Sequence, residues 1–168
     1  MDIQYLLELL LGGIVKGSIY ALIALGYTMV YGIIQLINFA HGEIYMVGAF
    51  VALIITGVLT LSGYSGLSVL VLAAVIAVIY AAAYGYTLEK IAYRPLRNAP
   101  RLSPLISAIG ASIFLMNYVQ LVQTPDFLPF PELVPEFEFM ASISHYVSSV
   151  DMVILVVTAV TMAALTVL

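Results

Sequence analysis

Long apolar runs separated by short polar breaks set the pattern of the chain. Five runs reach bilayer length: Gly17 to Ile37, Ile44 to Leu61, Leu67 to Leu88, Leu105 to Val122 and Asp151 to Leu168. A helix rises about 1.5 Å per residue, so about 20 largely apolar residues cross a hydrocarbon core about 30 Å thick. The other structure able to cross a bilayer is a closed barrel, whose strands alternate polar and apolar residues over about ten positions. These runs do not alternate. The pattern therefore predicts an all-α, polytopic transmembrane helix bundle with about five spans.

The breaks carry helix-end chemistry. Ser103-Pro104 offers a capping hydroxyl followed by proline at the first helical position, where its missing N–H is harmless, so Leu105 is expected to open the fourth span. Ser148-Ser149 ahead of Asp151 does the same for the fifth, with the acid placed where the helix dipole favours negative charge. Lys90, Arg94, Arg97 and Arg101 share one short segment, whereas Gln123 to Val150 has no Lys or Arg and carries Asp126, Glu132, Glu136 and Glu138. Cytoplasmic loops hold the excess of Lys and Arg, so these four cations anchor the topology with the basic loop inside and the acidic one outside. Counting back places Asn38 to Glu43 inside and the N-terminus outside. That last assignment reverses if Asn38 to Glu43 is a re-entrant break or if Tyr5 to Val15 dips into the bilayer. The acidic segment is too rich in proline for one regular helix, though its later half suits a short amphipathic element.

Composition agrees with the pattern. Hydrophobic residues make up 64% and charged residues 8% of the 168 residues, against roughly 45 to 50% and about 25% in soluble domains. A net charge of −4 points to no nucleic-acid partner. With no cysteine, disulfides and thiolate chemistry are excluded. The N-terminus lacks the positive region of a secretory signal and Lys16 interrupts the first apolar stretch, so no cleaved leader is expected. No G-x-x-x-x-G-K-[ST] loop occurs, so any ATP must be hydrolysed by a partner.

The polar and small residues inside the apolar pattern carry the candidate chemistry. Gly13, Gly17 and Ala21 recur every four residues, the spacing that lets transmembrane helices approach closely. Tyr20, Ala24, Tyr27 and Tyr31 continue nearly the same face. The stripe reads as a packing seam, and the hydroxyls of Tyr20, Tyr27 and Tyr31 leave a polar conduit open as the second reading. Ala81 and Gly85 form another packing pair. Asn38-Phe39-Ala40-His41-Gly42-Glu43 places three polar side chains between two spans, where ionisable groups are expensive. Two readings stand: a pathway or gate, or Asn38 capping the next helix with Glu43 in its first turn. A metal site is short of ligands, and no cofactor is implied. Asn117 and Gln120 share a helix face, with Gln123 a turn further on, and read as interhelical glue worth about 0.6 kcal/mol each. His41 and His145 fall on opposite sides of the membrane, so no catalytic set assembles and no enzyme is indicated.

Two blocks resemble a known family. Gly17-Ser18-Ile19-Tyr20-Ala21-Leu22-Ile23-Ala24-Leu25-Gly26 with Ile37-Asn38-Phe39-Ala40-His41-Gly42-Glu43-Ile44-Tyr45-Met46-Val47-Gly48-Ala49 is similar to the N-terminal signature of LivH-type permeases of branched-chain amino-acid ABC importers. Glu89-Lys90-Ile91-Ala92-Tyr93-Arg94-Pro95-Leu96-Arg97 and Ala99-Pro100-Arg101-Leu102 match the family's next block in order and spacing. The resemblance implies a multi-pass permease in a bacterial or archaeal plasma membrane. It implies ABC ATPase subunits, a second homologous permease, an extracytoplasmic amino-acid-binding protein and membrane lipid as partners. It also makes Asn38, His41 and Glu43 pathway or gate candidates. The ATPase-coupling loop of such permeases follows a later span, so residues 1–168 are expected to be the N-terminal part of one permease domain. The alternatives are a urea or short-amide permease of the same family and a membrane scaffold that only packs helices.

Overall fold

The computed structural model describes residues 3–35, 37–100, 102–126, 128–131, 133–134 and 148–167. These form five long helices: α1 (Ile3–Ile34), α2 (His41–Leu61), α3 (Leu67–Leu88), α4 (Leu102–Val122) and α5 (Ser149–Val167). All five are long and apolar enough to cross a membrane, and no strand occurs among the described residues. The all-helical expectation holds. By internal contacts the chain divides into a unit of Val30–Leu133 and a unit of Met1–Met29 with Val134–Leu168.

Helix ends show where local chemistry outweighs the apolar pattern. α1 begins far ahead of the expected Gly17, because Tyr5 to Val15 is helical; its 32 residues run about 48 Å, well beyond a hydrocarbon core. It also stops before the expected Ile37. Gln35 turns left-handed (φ 55°), and its N–H donates to the Tyr31 carbonyl at 2.8 Å, the single bond of an αL cap. α2 starts three residues ahead of the expected Ile44, so His41 and Glu43 lie in its first turn. α4 likewise starts at Leu102, which corrects the assignment of Ser103 as its cap. Pro104 lies buried in the first turn, where no intrahelical partner awaits an N–H. α5 opens with reciprocal capping. Ser148 Oγ accepts from Val150 N–H at 3.3 Å and Asp151 Oδ2 accepts from Ser148 N–H at 3.1 Å, a capping box with aspartate in the acidic position.

The bounds of α3 match the expected Leu67 to Leu88, since Gly63 and Gly66, both at φ 88°, make a turn that side chains with a Cβ rarely adopt. Beyond Leu88 the structure corrects the basic loop. Glu89–Tyr93 is a π-helical turn and Arg94–Leu96 a 3-10 turn, so Lys90 and Arg94 extend the helical rod. Pro95 explains the widening. In a regular helix its ring would strike the Ile91 carbonyl and its missing N–H would leave that carbonyl unbonded; a π turn opens the backbone at that place. Arg101, His145, Glu132, Glu136, Glu138 and the expected amphipathic element lie outside the described residues.

In the unit of Val30–Leu133, α2 and α3 pack antiparallel through small residues. A Cβ on Gly48 would stand 3.5 Å from Ala81 Cβ, and one on Gly85 would stand 3.8 Å from Ile44 Cδ1. Val47 and Thr56 of α2 and Val69, Ala73 and Ala77 of α3 are buried, with Ala108, Leu115 and Val119 of α4. In the other unit Val15, Ser149 and Thr158 are buried. Most large apolar side chains face outward, among them Ile33, Leu61 and Leu121, as expected where lipid or neighbouring subunits form the surroundings.

Candidate functional site

The start of α2 is recessed into its unit. Glu43 Oε1 accepts a hydrogen bond from Ser112 Oγ at 3.1 Å, and Ser112 is the midpoint of α4 (Leu102–Val122). At about 1.5 Å per residue the first turn of α2 therefore lies about 15 Å along the axis of α4 from its beginning. The same stagger recurs at the other end, where Val119, near the end of α4, lines two cavities together with Phe50, near the middle of α2. α2 and α4 thus run parallel, offset by about half a helix. The α1–α2 break and the end of α4 each sit beside the middle of a neighbour.

At the α1–α2 break a small polar cluster ties three elements together. Asn38 Oδ1 accepts from Ala40 N–H at 3.1 Å and from the Tyr93 hydroxyl at 2.6 Å. The Asn38 carbonyl accepts from His41 N–H at 3.1 Å. Asn38 therefore shapes the turn ahead of α2 as an Asx-type bend, while the residue at the cap position is Ala40, fully buried. Tyr93, 5% exposed, reaches Asn38 because the π turn carries it there. Ser107 Oγ donates to the Ala92 carbonyl at 3.0 Å, satisfying an acceptor in that widened turn. Around this cluster the charges are peripheral. Arg97 pairs with Glu89 at 3.0 Å with its side chain 58% exposed, worth at most about 1 kcal/mol, and Lys90 Nζ stands 5.8 Å from the centre of the Tyr86 ring.

The remaining candidates scatter. His41 is half-buried at the start of α2, and no group of three metal-ligating side chains occurs among the described residues. Tyr31 is 51% exposed and Tyr20, in the other unit with Tyr27, is 71% exposed. Gly13 and Gly17 are exposed with nothing within 4 Å of an added Cβ, while Ala21 is half-buried. Ala81 and Gly85 meet α2. Asn117 Nδ2 donates to the Ile113 carbonyl of its own helix at 2.7 Å, so its bond is local where an interhelical one was expected. Gln120 and Gln123 each line a cavity.

Sequence reasoning passed over Tyr93, Ser107 and Ser112. The usable signal for Tyr93 was its place two residues ahead of Pro95; the two serines stood in an apolar run with nothing to mark their partners. Also unread were the cavities of the α2–α4 groove. One, of about 260 Å³, lies among α2, α3 and α4 and is bordered by Tyr84 and Tyr118. The other, of about 440 Å³, lies between α2, α4 and the segment after α4. A recessed polar break and two cavities thus share one groove of the unit.

Among known proteins, residues 9–168 match the family described as branched-chain amino acid transport system / permease component. The high-affinity branched-chain amino acid transport system permease protein BraD of Pseudomonas aeruginosa is 47% identical over 169 residues, covering 98% of this chain and 55% of that protein. The correspondingly named LivH of Salmonella typhimurium is 47% identical over 97% of this chain and 54% of its own length. LivH of Escherichia coli K12 is 45% identical over the same shares, 97% and 54%. The chain spans about half the length of these relatives. No solved structure matches it.

Proposed function

The chain belongs to the branched-chain amino acid transport permease family, and from that premise we propose that it acts in the transmembrane pathway of an ABC importer for leucine, isoleucine and valine. The observation that carries this reading is identity of 47% along 98% of the chain to a permease named for that transport. Two cytoplasmic ATPase subunits supply the energy, because this sequence holds no phosphate-binding loop of its own. A second homologous permease completes the pathway and an extracytoplasmic binding protein delivers the amino acid. The membrane is the bacterial plasma membrane, with Lys90, Arg94 and Arg97 on the cytoplasmic side.

Within that pathway the Asn38–Glu43 break is the inner gate. Its non-helical residues end at Ala40, and the first turn of α2 that follows meets the middle of α4 through Glu43; irregular backbone at membrane depth is stable only against protein or a wet cavity. Tyr93 holds Asn38 and Ser112 holds Glu43, so parting α2 from the π turn and α4 exchanges these bonds for water. The gate does no chemistry on the solute. It changes which side has access, in step with the ATPases.

The absence of cysteine makes the test direct. In the complete importer, with cysteine-free partners, a single cysteine at His41 should react with a membrane-impermeant maleimide at a rate that changes severalfold between nucleotide-free and ATP-bound states. Equal rates in both states, in an importer that still takes up leucine, would remove the gate. Uptake of urea or an amide in place of leucine would remove the substrate assignment.

A further inference from the structure

The larger cavity of the α2–α4 groove is not used by the gate. Its volume of about 440 Å³ falls within the roughly 300 to 1,000 Å³ typical of ligand pockets. One wall is apolar: Met46, Phe50 and Leu53 of α2 with Val119 of α4. Gln120 near the end of α4, and Thr124 and Asp126 in the non-helical segment beyond it, add polar groups to a lining that this segment otherwise continues with Pro125, Leu128 and Phe130. That segment is held in place by its own turn. Thr124 Oγ1 donates to Asp126 Oδ2 and accepts from Asp126 N–H, both at 3.1 Å. The helix α4 ends level with the middle of α2, so irregular backbone borders the cavity, and irregular backbone at membrane depth is stable only against protein or a wet cavity.

We propose that this cavity is a substrate subsite on the side of the unit remote from the basic segment, taking a zwitterionic amino acid with an aliphatic side chain. The ammonium group faces the Asp126 carboxylate, the Gln120 amide donates to the solute carboxylate, and the side chain lies against Phe50 and Leu53. The proposal rests on the permease reading and locates its substrate. The Asp126 carboxylate complements an ammonium, and a cavity of this volume lined mainly by apolar side chains fits an aliphatic side chain beside it. Phe50 also lines the smaller cavity, which makes it the partition the solute meets next.

The test uses the complete importer in liposomes, with its binding protein and ATPases, and radiolabelled leucine as the probe. Asp126→Asn and Leu53→Trp should each lower ATP-driven leucine uptake about tenfold while binding-protein-stimulated ATP hydrolysis stays within about twofold of the parent. Leu53→Ala guards against a tryptophan variant that fails to fold: by enlarging the apolar wall it should raise uptake of phenylalanine relative to valine severalfold. Unchanged uptake in Asp126→Asn, or unchanged selectivity in Leu53→Ala, overturns the subsite. A phospholipid that copurifies with the parent, and is lost from Leu53→Trp without loss of uptake, overturns it as well. An unmutated complex that takes up no branched-chain amino acid is a separate failure, which removes the permease reading itself.

Discussion

Two faces of the chain carry the same small-residue signature and meet different fates. On α2 and α3, Gly48, Ala81 and Gly85 are in contact, with Ala81 Cβ 3.5 Å from the position of a Cβ on Gly48. On α1, Gly13 and Gly17 have nothing within 4 Å of such a position. Small residues at a spacing of four create the capacity for close approach; they do not say whether the partner is in the same chain. The filled seam builds the unit that carries the Asn38 cluster and the cavities. The stripe on α1 makes no such contact at Gly13 or Gly17.

The largest effect should follow from breaking the filled seam. Gly48→Leu pushes several carbons into a space that accommodates only a Cβ in ordinary contact, and overpacking of that kind typically costs about 1 to 3 kcal/mol. Thermal unfolding in detergent should move to clearly lower temperature and membrane accumulation should fall, whereas Gly48→Ala should be tolerated. A leucine variant with the parent's unfolding temperature would mean that α2 and α3 do not close there.

Next comes the polar cluster that the seam positions. Glu43→Gln keeps an acceptor for Ser112 and removes the charge, so membrane accumulation should stay near normal while leucine uptake by the complete importer drops severalfold. Loss of accumulation with uptake per molecule intact would instead make Glu43 a helix-start residue favoured by the dipole. A smaller change is expected inside the seam. Thr56 is fully buried and its hydroxyl has no partner among the described residues, and an unsatisfied buried hydroxyl carries a penalty of about 1 to 3 kcal/mol. Thr56→Val removes that penalty while leaving the shape and the helix propensity nearly unchanged, so unfolding should shift upward by the equivalent of about 1 kcal/mol. A downward shift would show that the hydroxyl has a partner in the assembled complex.

The spans were legible because twenty apolar residues leave few alternatives, and α3 was legible to the residue because glycines at φ 88° bound it. The starts of α2 and α4 were each misplaced by three residues for one reason. A first turn needs no apolar side chains, so the apolar pattern left His41-Gly42-Glu43 and Leu102-Ser103-Pro104 ahead of the spans, with Ser103 read as a cap. The stagger of α2 against α4 had no sequence signal at all, since periodicity reports a face and not an axial shift. The Tyr93 to Asn38 bond joins residues 55 apart in the chain, and the π turn that enables it follows from Pro95, which the apolar pattern treats as a simple stop. Asn38 to Glu43 stood out because polar groups between spans are expensive; their partners did not, because a serine in an apolar run and a tyrosine in a charged segment are both common.

The smallest effect on folding, and the sharpest test of the comparison, belongs to the open face. Gly17→Leu meets nothing within 4 Å, and leucine favours a helix over glycine by up to about 1 kcal/mol. The chain's own unfolding should therefore be unchanged or slightly delayed, in contrast to Gly48→Leu, although the substitution is the same. What should fall is recovery of the second permease when the complex is purified by a tag on this chain, because the larger side chain holds the neighbouring helix away. Normal recovery would show that the glycine face looks at lipid, and the α1 stripe would then be a run of small residues without a seam. A lower unfolding temperature for this chain alone would place its partner within the same chain, and the two faces would no longer differ in kind.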